Sequence, residues 1–244
     1  KEKKNKKPML IPLKVSLLGD DGKFLCLNKN KSYKECTIIL KKKVQNILFK
    51  NITSDPAISI NRAFTAPVKI NLKQSEKKLK LLMMYDNDPF KKWDEINKYF
   101  LNLCIKQSNT NKNINISKFF INVIKNILEN SYKDPSYAAE LLSIPSENEI
   151  AENSKKYNPE NIYKARINIL KNISFILNKE IKDIFNYCST SKNSKSRGWR
   201  ALQNICLEYL TSEKNSISQD LAYNTYKNSK NMTLKLYSLA CICN

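Results

Sequence analysis

The sequence contains no histidine among its 244 residues. A histidine general base, a Ser-His-Asp triad, a Cys-His dyad and an HExxH zinc site all require this side chain. Its absence excludes the commonest machinery of hydrolysis from this chain. Glycine is also scarce, with three residues, so neither a GxGxxG dinucleotide loop nor a P-loop can be formed. No apolar stretch approaches the ~20 residues that are needed to cross a bilayer.

Arginine is scarce as well, although the chain is strongly basic. Lys and Arg together number 43 against 22 Asp and Glu, a formal net charge of +21, but lysine supplies nearly all of the positive charge. Bidentate contacts to bases and phosphates rely on arginine. Two interpretations remain open: lysines spread over a solvated surface as a product of AT-rich coding, or a patch that attracts a polyanion.

The seven cysteines are odd in number and widely spaced. Most lie inside apolar runs, as buried thiols do. This pattern indicates a reducing compartment, the cytoplasm, and argues against a disulfide framework. Cys241 and Cys243 form a CxC pair, but no second pair and no histidine accompany them. We therefore expect this chain to bind no metal.

Residues 1–72 are predicted to form β-structure. Residues 10–17 alternate in polarity, and Pro12 within them predicts an edge strand or the start of a strand. Gly19 to Gly22 predict a hairpin turn. Further short strands are predicted at residues 23–27, 35–40, 46–49, 57–64 and 68–72. Five or six short strands indicate a small β-sandwich, thinner than the usual ~seven strands. We expect it to lack its first strands.

Residues 73–244 are predicted to be helical, because the apolar period changes from two to 3.6. Helix starts are predicted from N-cap and Asp-Pro or Asn-Pro signals, which lie at Ser75, Asp88, Ser117, Asp134, Ser146 and Asn158. Residues 106–115 are polar and predicted to be a loop. Regular helices joined by short turns indicate an α-solenoid-like domain without a fixed repeat period. Its last apolar helix has no polar cap, so we expect the domain to be truncated.

Four sequence islands stand out from the composition. They read SINRAFTAPV at 59–68, DNDPFKKW at 86–93, DPSYAAELLSIPSENE at 134–149, and GWRALQN at 198–204 followed by YNTY at 223–226 and NMT at 231–233. In this order and spacing they resemble the C-terminal half of bacterial-type aminopeptidase N, the zinc alanyl aminopeptidase family of gluzincin metalloproteases. The resemblance covers nearly the whole chain.

The resemblance implies that this chain corresponds to the non-catalytic domains of a longer enzyme. Family members carry an Ig-like β-sandwich and a helical superhelix that covers the active site, and residues 1–72 and 73–244 resemble these two parts. The family's HExxH helix, distal Glu ligand and GxMEN loop are not in this chain. No catalytic, cofactor-binding or metal-binding residue is therefore assigned here. The resemblance implies zinc, as well as peptide substrates, only for the full-length hydrolase, whose remaining domains would be this chain's partners.

Individual island residues also have structural interpretations. A buried bridge from a strand end to the helical domain is favoured over a substrate contact for Arg62. Loop-to-helix geometry is favoured over a phosphate nest for Gly198, which lies between Arg197 and Arg200. Domain-junction packing is expected at Phe64 and Pro67, and core positions are expected for Trp93 and Trp199.

The sequence is compatible with three functions. The first is an architectural C-terminal fragment of a zinc aminopeptidase, inactive alone. The second is a stand-alone helical scaffold that binds a peptide or protein. The third is a basic nucleic-acid-binding module, which should interleave arginines or aromatics with lysines on one helix face. The lysines are instead scattered, so we expect no specific nucleic acid and no membrane as partners.

Overall fold

The computed structural model describes residues 9–27, 33–50, 52, 54–110, 113–155, 158–190 and 196–243. The chain divides into two compact units, Lys1–Ile96 and Asn97–Asn244. The first unit holds the β-structure and also the first helix with the start of the second. The domain boundary between residues 72 and 73 stays a prediction, since the compact units divide elsewhere.

The described part of the first unit contains one antiparallel sheet of three strands in the order β2-β1-β3. The strands are β1 (Ile11–Leu18), β2 (Glu35–Leu40) and β3 (Ala57–Ile60). Val15 and Ser16 are paired with both neighbouring strands: Val15 faces Cys36 of β2 and Ile60 of β3, and Ser16 faces Glu35 and Ser59. Pro12 is the second residue of β1 and faces only β2. Its predicted place at the start of a strand is confirmed, and the missing N–H disturbs no ladder with β3.

Several predicted strands are wrong in the described residues. Residues 23–27 form only an isolated bridge between Leu18 and Phe24, and residues 46–49 and 68–72 belong to no strand. The strand predicted over 57–64 ends at Ile60 because Asn61, Ala63 and Phe64 all have positive φ. The hairpin turn is confirmed: Gly22 has φ +74°, and a Cβ there would lie 2.8 Å from the Tyr85 ring.

Ten helices follow the sheet in the described residues. They are α1 (Glu76–Tyr85), α2 (Pro89–Thr110), α3 (Lys118–Asn130), α4 (Pro135–Leu142), α5 (Glu147–Asn153), α6 (Pro159–Ile176), α7 (Asn178–Cys188), α8 (Arg197–Leu210), α9 (Ser216–Asn228) and α10 (Met232–Cys243). α1 belongs to the first unit, where Leu82 packs against Leu18 and Ala57 of the sheet. No described helix is long and apolar enough to span a membrane.

The predicted helix starts are confirmed as side-chain caps. Asp88 accepts a hydrogen bond from the Lys91 N–H at 2.8 Å, and Asp134 accepts one from the Tyr137 N–H at 2.9 Å. The other four signals, at Ser75, Ser117, Ser146 and Asn158, cap their helices in the same way. The loop predicted over 106–115 is wrong for its first half, because α2 continues to Thr110 and buries Gln107.

α8 lies at the centre of the second unit and packs against α4, α6, α7 and α10. Its Tyr209 hydroxyl donates to the Leu142 carbonyl at 2.8 Å, which ties α8 to the end of α4. Its Glu208 accepts from Arg166 of α6 at 3.2 Å and from the Tyr237 hydroxyl of α10 at 2.7 Å. One carboxylate thus joins three helices of this unit.

Candidate functional site

The first candidate site is a buried ionic cluster around Arg62, which follows β3. Arg62 is 2% exposed and opens a single 3-10 turn, Arg62–Phe64. Asn61 holds the segment in shape, because its side chain accepts from the Ala66 N–H and donates to the Ala66 carbonyl, both at 3.0 Å. The positive φ values at Asn61 and Ala63 turn the chain sharply, so the guanidinium points back into the unit.

The guanidinium of Arg62 is surrounded by oxygen acceptors. Its Nη1 donates to Asp86 at 2.6 Å and to Ser59 at 2.9 Å, while its Nε donates to Glu35 at 2.9 Å. Its Nη2 donates to Asn87 at 2.5 Å. Asp86 has no exposed side-chain surface, so the pair is desolvated and depends on these bonds.

The cluster joins the sheet to the junction of α1 and α2. Asp86 and Asn87 lie between those two helices, and Asp88 accepts from the Ala63 N–H at 2.8 Å besides capping α2. The predicted buried bridge from the strand end to the helices is therefore confirmed for Arg62. With its donors directed at protein groups, Arg62 is not placed to contact a substrate. The sequence predicted that Arg62 forms this buried bridge. It did not predict Glu35 as a partner, because Glu35 is distant along the chain and no local pattern marks it.

A second buried cation lies in the first turn of α2. Lys91 is 3% exposed and pairs with Asp94 at 3.0 Å and with Glu95. Burial opposes the positive charge, but the two carboxylates outweigh it and raise the pKa of Lys91. This cluster also pairs its charges internally, which indicates a structural role.

The aromatic island residues are less buried than expected. Phe64 is 52% exposed, and its ring centroid lies 4.9 Å from that of Phe90, which in turn lies 6.0 Å from Trp93. Pro67 is exposed, contrary to the packing expected of it. Trp93 is half-buried. These rings form a ridge on the first unit.

The prediction that Gly198 lies at the start of a helix is confirmed in the second unit. It is the second residue of α8, which Ser196 precedes. A Cβ at Gly198 would lie 2.6 Å from the Ser136 Oγ and 3.1 Å from the Pro135 Cγ, so glycine permits the close approach of α4. Trp199 is half-buried and lies 5.0 Å from Tyr187 and 5.8 Å from Tyr132 between ring centroids.

A cavity of about 750 Å³ lies among α7, α8, α9 and the start of α10. All three segments of the fourth sequence island contribute residues to the lining of this cavity. Arg200 and Gln203 come from GWRALQN, Asn224 from YNTY and Asn231 from NMT. Local sequence patterns do not place these residues in one site, because their contact depends on how α8, α9 and α10 pack.

The thiols do not form a metal centre in the described residues. Cys104, Cys188 and Cys206 are buried, and burial raises the pKa of Cys104 and of Cys188 to about 12. No group of three or more Cys, Asp or Glu in the described part of the chain could hold a metal ion. Without histidine, this donor set does not fit the zinc that the resemblance implies for the full-length enzyme. No reaction step is assigned to these residues.

Comparison with known proteins gives matches over nearly the whole chain. A family model described as domain of unknown function DUF3458, Ig-like fold, matches residues 1–73. A second, described as domain of unknown function DUF3458_C, ARM repeats, matches residues 76–244. The chain is 25% identical over 241 residues to aminopeptidase N of Escherichia coli K12, and 25% identical over 236 residues to that of Haemophilus influenzae.

The matched relatives are much longer than this chain. It spans 28% of the Escherichia coli protein and 27% of the Haemophilus influenzae protein, while 96% and 94% of the chain are covered. A crystal structure of Legionella pneumophila aminopeptidase A in complex with aspartic acid shares the fold, with a TM-score of 0.81 at 23% identity. That match covers 96% of this chain and 28% of the Legionella chain.

Proposed function

Since the chain belongs to the ARM-repeat family DUF3458_C and carries the Ig-like DUF3458 domain before it, we propose that it serves as an architectural C-terminal part of a zinc-dependent aminopeptidase. The matches to aminopeptidase N confirm the resemblance carried by the four islands. The predicted fold class, an Ig-like domain followed by a helical array, is confirmed with them. The observation that carries the proposal is the match of 96% of this chain to 28% of an aminopeptidase N.

In this proposal the longer enzyme removes N-terminal amino acids from peptides in the cytoplasm, and its other domains supply zinc and the catalytic residues. This chain contributes walls that cover the active site and restrict access to it. The buried cluster around Arg62 supports that role, because the guanidinium donates to Glu35, Ser59, Asp86 and Asn87 of this chain rather than to a substrate. The buried thiols support a reducing location.

The nucleic-acid alternative has little support in the described residues. Two of the four arginines are engaged internally, since Arg62 is buried and Arg166 donates to the Pro145 carbonyl and to Glu208. Few arginines remain for base or phosphate contacts.

The proposal is tested on the longer protein encoded by the same reading frame. We expect it to hydrolyse alanyl-p-nitroanilide and to lose that activity on chelation, while the 244-residue chain alone is inactive. A longer protein with an HExxH helix but no zinc-dependent hydrolysis would refute the proposed enzyme.

The architectural role is tested by deleting residues 97–244 from the longer protein. We expect the preference for short peptides over long unfolded chains to fall, and an unchanged preference would count against restriction of access.

A further inference from the structure

The cavity among α7, α8, α9 and α10 has a lining that the proposed function does not explain. Two cations, Arg200 and Lys230, line it, and its polar lining is otherwise made of amides and hydroxyls. None of its described lining residues is acidic. At about 750 Å³ it has the size of a site for a small ligand or a few residues of peptide.

A buried acceptor lacks a partner on the wall of this cavity. Gln203 is 4% exposed, and its Nε2 donates to the Ser189 Oγ at 2.8 Å. Its Oε1 accepts no hydrogen bond from the described residues. A buried amide oxygen without a donor is unfavourable. A ligand N–H that enters the cavity would satisfy it.

The start of α10 adds positive potential to the cavity. Asn231 lines it and caps this helix, since its Oδ1 accepts from the Leu234 N–H at 3.0 Å. The N–H groups of the first residues of a helix lack partners within the helix, and its dipole is positive at this end. Lys230 lies directly before this cap and has an exposed side chain. Anionic ligand groups are therefore favoured here.

We propose that this cavity binds the C-terminal residue of a peptide. The carboxylate lies against Lys230 and Arg200 at the start of α10, and the last peptide N–H donates to the Gln203 Oε1. Leu234 and Phe185 supply an apolar wall for the peptide's side chain. An anion next to an N–H donor distinguishes a peptide C-terminus from phosphate or acetate, which lack the donor. The inference goes beyond the proposed architectural role and needs no hydrolysis.

The test measures the fluorescence anisotropy of a hexapeptide of alanine and leucine, labelled at its N-terminus, with the 244-residue chain at physiological salt. The same peptide with a C-terminal amide is the comparison. We expect the free acid to bind about tenfold more tightly or better, because the amide lacks the charge-assisted bonds. Lys230→Gln should weaken binding of the free acid about tenfold and leave the amide nearly unchanged.

A matched variant separates the site from the overall charge. Lys227→Gln removes the same charge from the last turn of α9, but Lys227 does not line the cavity. It should leave binding of the free acid within about twofold of the unsubstituted chain. Gln203→Met should weaken both peptides, since both carry the last peptide N–H. Lys230 is exposed, so its variant remains informative even if Gln203→Met does not fold.

Four results would overturn the proposal. The first two are equal binding of the acid and the amide, and equal losses in Lys230→Gln and Lys227→Gln. The other two are competition by acetate as effective as that by an unlabelled peptide acid, and absence of binding below about 1 mM. None of these results depends on aminopeptidase activity, so failure of the site and failure of the proposed enzyme are distinguishable.

Discussion

Arg62 shows how one residue determines the geometry of the first unit. It lies 2.8 Å from Glu35 of β2 and 2.6 Å from Asp86 between α1 and α2, and its guanidinium carbon lies 4.9 Å from the Phe24 ring centroid. Such a desolvated pair costs free energy to bury and recovers it only through several well-placed bonds. The planar guanidinium of arginine directs several N–H donors to different acceptors at once. The compact ammonium group of lysine cannot make the same set of bonds.

Removing the Arg62 side chain should destabilise the first unit strongly. Arg62→Met leaves Asp86 buried without its cation, and we expect a loss of about 3–5 kcal/mol in the free energy of unfolding. Arg62→Lys keeps the charge but loses the planar guanidinium, so the loss should be smaller. Urea unfolding followed by circular dichroism measures both.

The control for this prediction is Arg197→Met, since Arg197 is exposed on α8. Adding Asp86→Asn to Arg62→Met should recover part of the loss, because the buried charge disappears. A cost below about 1 kcal/mol for Arg62→Met would show that the bridge contributes little.

The buried thiols make stability sensitive to alkaline pH. The pKa of Cys104 is raised to about 12 by burial, so its thiol stays protonated in the folded chain. In the unfolded chain the thiol ionises near its ordinary pKa of about 8.5. Above that pH the unfolded state binds fewer protons, so stability falls by about 1.4 kcal/mol per pH unit until the folded pKa is reached.

Cys104→Ala should therefore reduce the pH dependence of unfolding. Between about pH 8.5 and about pH 10.5, we expect the decrease in unfolding free energy to shrink by about 2 kcal/mol. Val123→Ala, at another buried position, is the control, since it loses core contacts but no titrating group. Urea titrations under a reducing agent give both slopes, and parallel slopes would contradict the assignment of the buried thiol.

At the scale of elements, helices are predicted better than strands for a physical reason. A helix start is encoded locally, as Asp134 before Pro135 or Asn158 before Pro159 show, because the cap and the N–H it accepts from are three residues apart. A strand needs a partner from elsewhere. Residues 46–49 form a short apolar run after Asn46, but Leu48 is 81% exposed and the run belongs to no strand.

The close contact of α4 and α8 gives a prediction for Gly198. Gly198→Ala improves helix propensity, which alone would stabilise the protein by about 1 kcal/mol. The new Cβ would lie 2.6 Å from the Ser136 Oγ and 3.1 Å from the Ser136 backbone nitrogen. We expect the steric cost of the added Cβ to exceed the gain in helix propensity, so that Gly198→Ala destabilises the second unit by about 1–3 kcal/mol.

Thermal unfolding of Gly198→Ala, alone and with Ser136→Ala, tests this balance. Removing the Ser136 hydroxyl should restore only part of the stability, since the backbone nitrogen and the Pro135 ring remain close. If Gly198→Ala melts higher than the unsubstituted chain, helix propensity dominates and the close approach is not required.

At the scale of the whole chain, the sequence predicted the order of an Ig-like part and a helical part, and the family matches bear it out. The cavity of the second unit could not be predicted, because its lining runs from Phe185 to Leu234 over four helices. Local patterns contain the caps and faces of these helices but not how the helices pack. Similarly, the pairing of Arg62 with Glu35 depends on the sheet order rather than on local sequence.

Net charge and exposed apolar surface should oppose each other in solution. The formal net charge of +21 makes the chains repel at low salt. α10 presents an apolar surface, since Met232 is 68%, Leu236 60% and Leu239 41% exposed. The Debye length falls from about 10 Å at 0.1 M salt to about 3 Å at 1 M, so added salt screens the repulsion. We therefore expect the chain to associate as salt rises.

Sedimentation velocity at the two salt concentrations measures this association. Leu236→Gln combined with Leu239→Gln removes apolar surface without touching buried core, so this variant should remain monomeric at the higher salt. A chain that stays monomeric at both concentrations, or a variant that associates as readily, would show that α10 does not drive association.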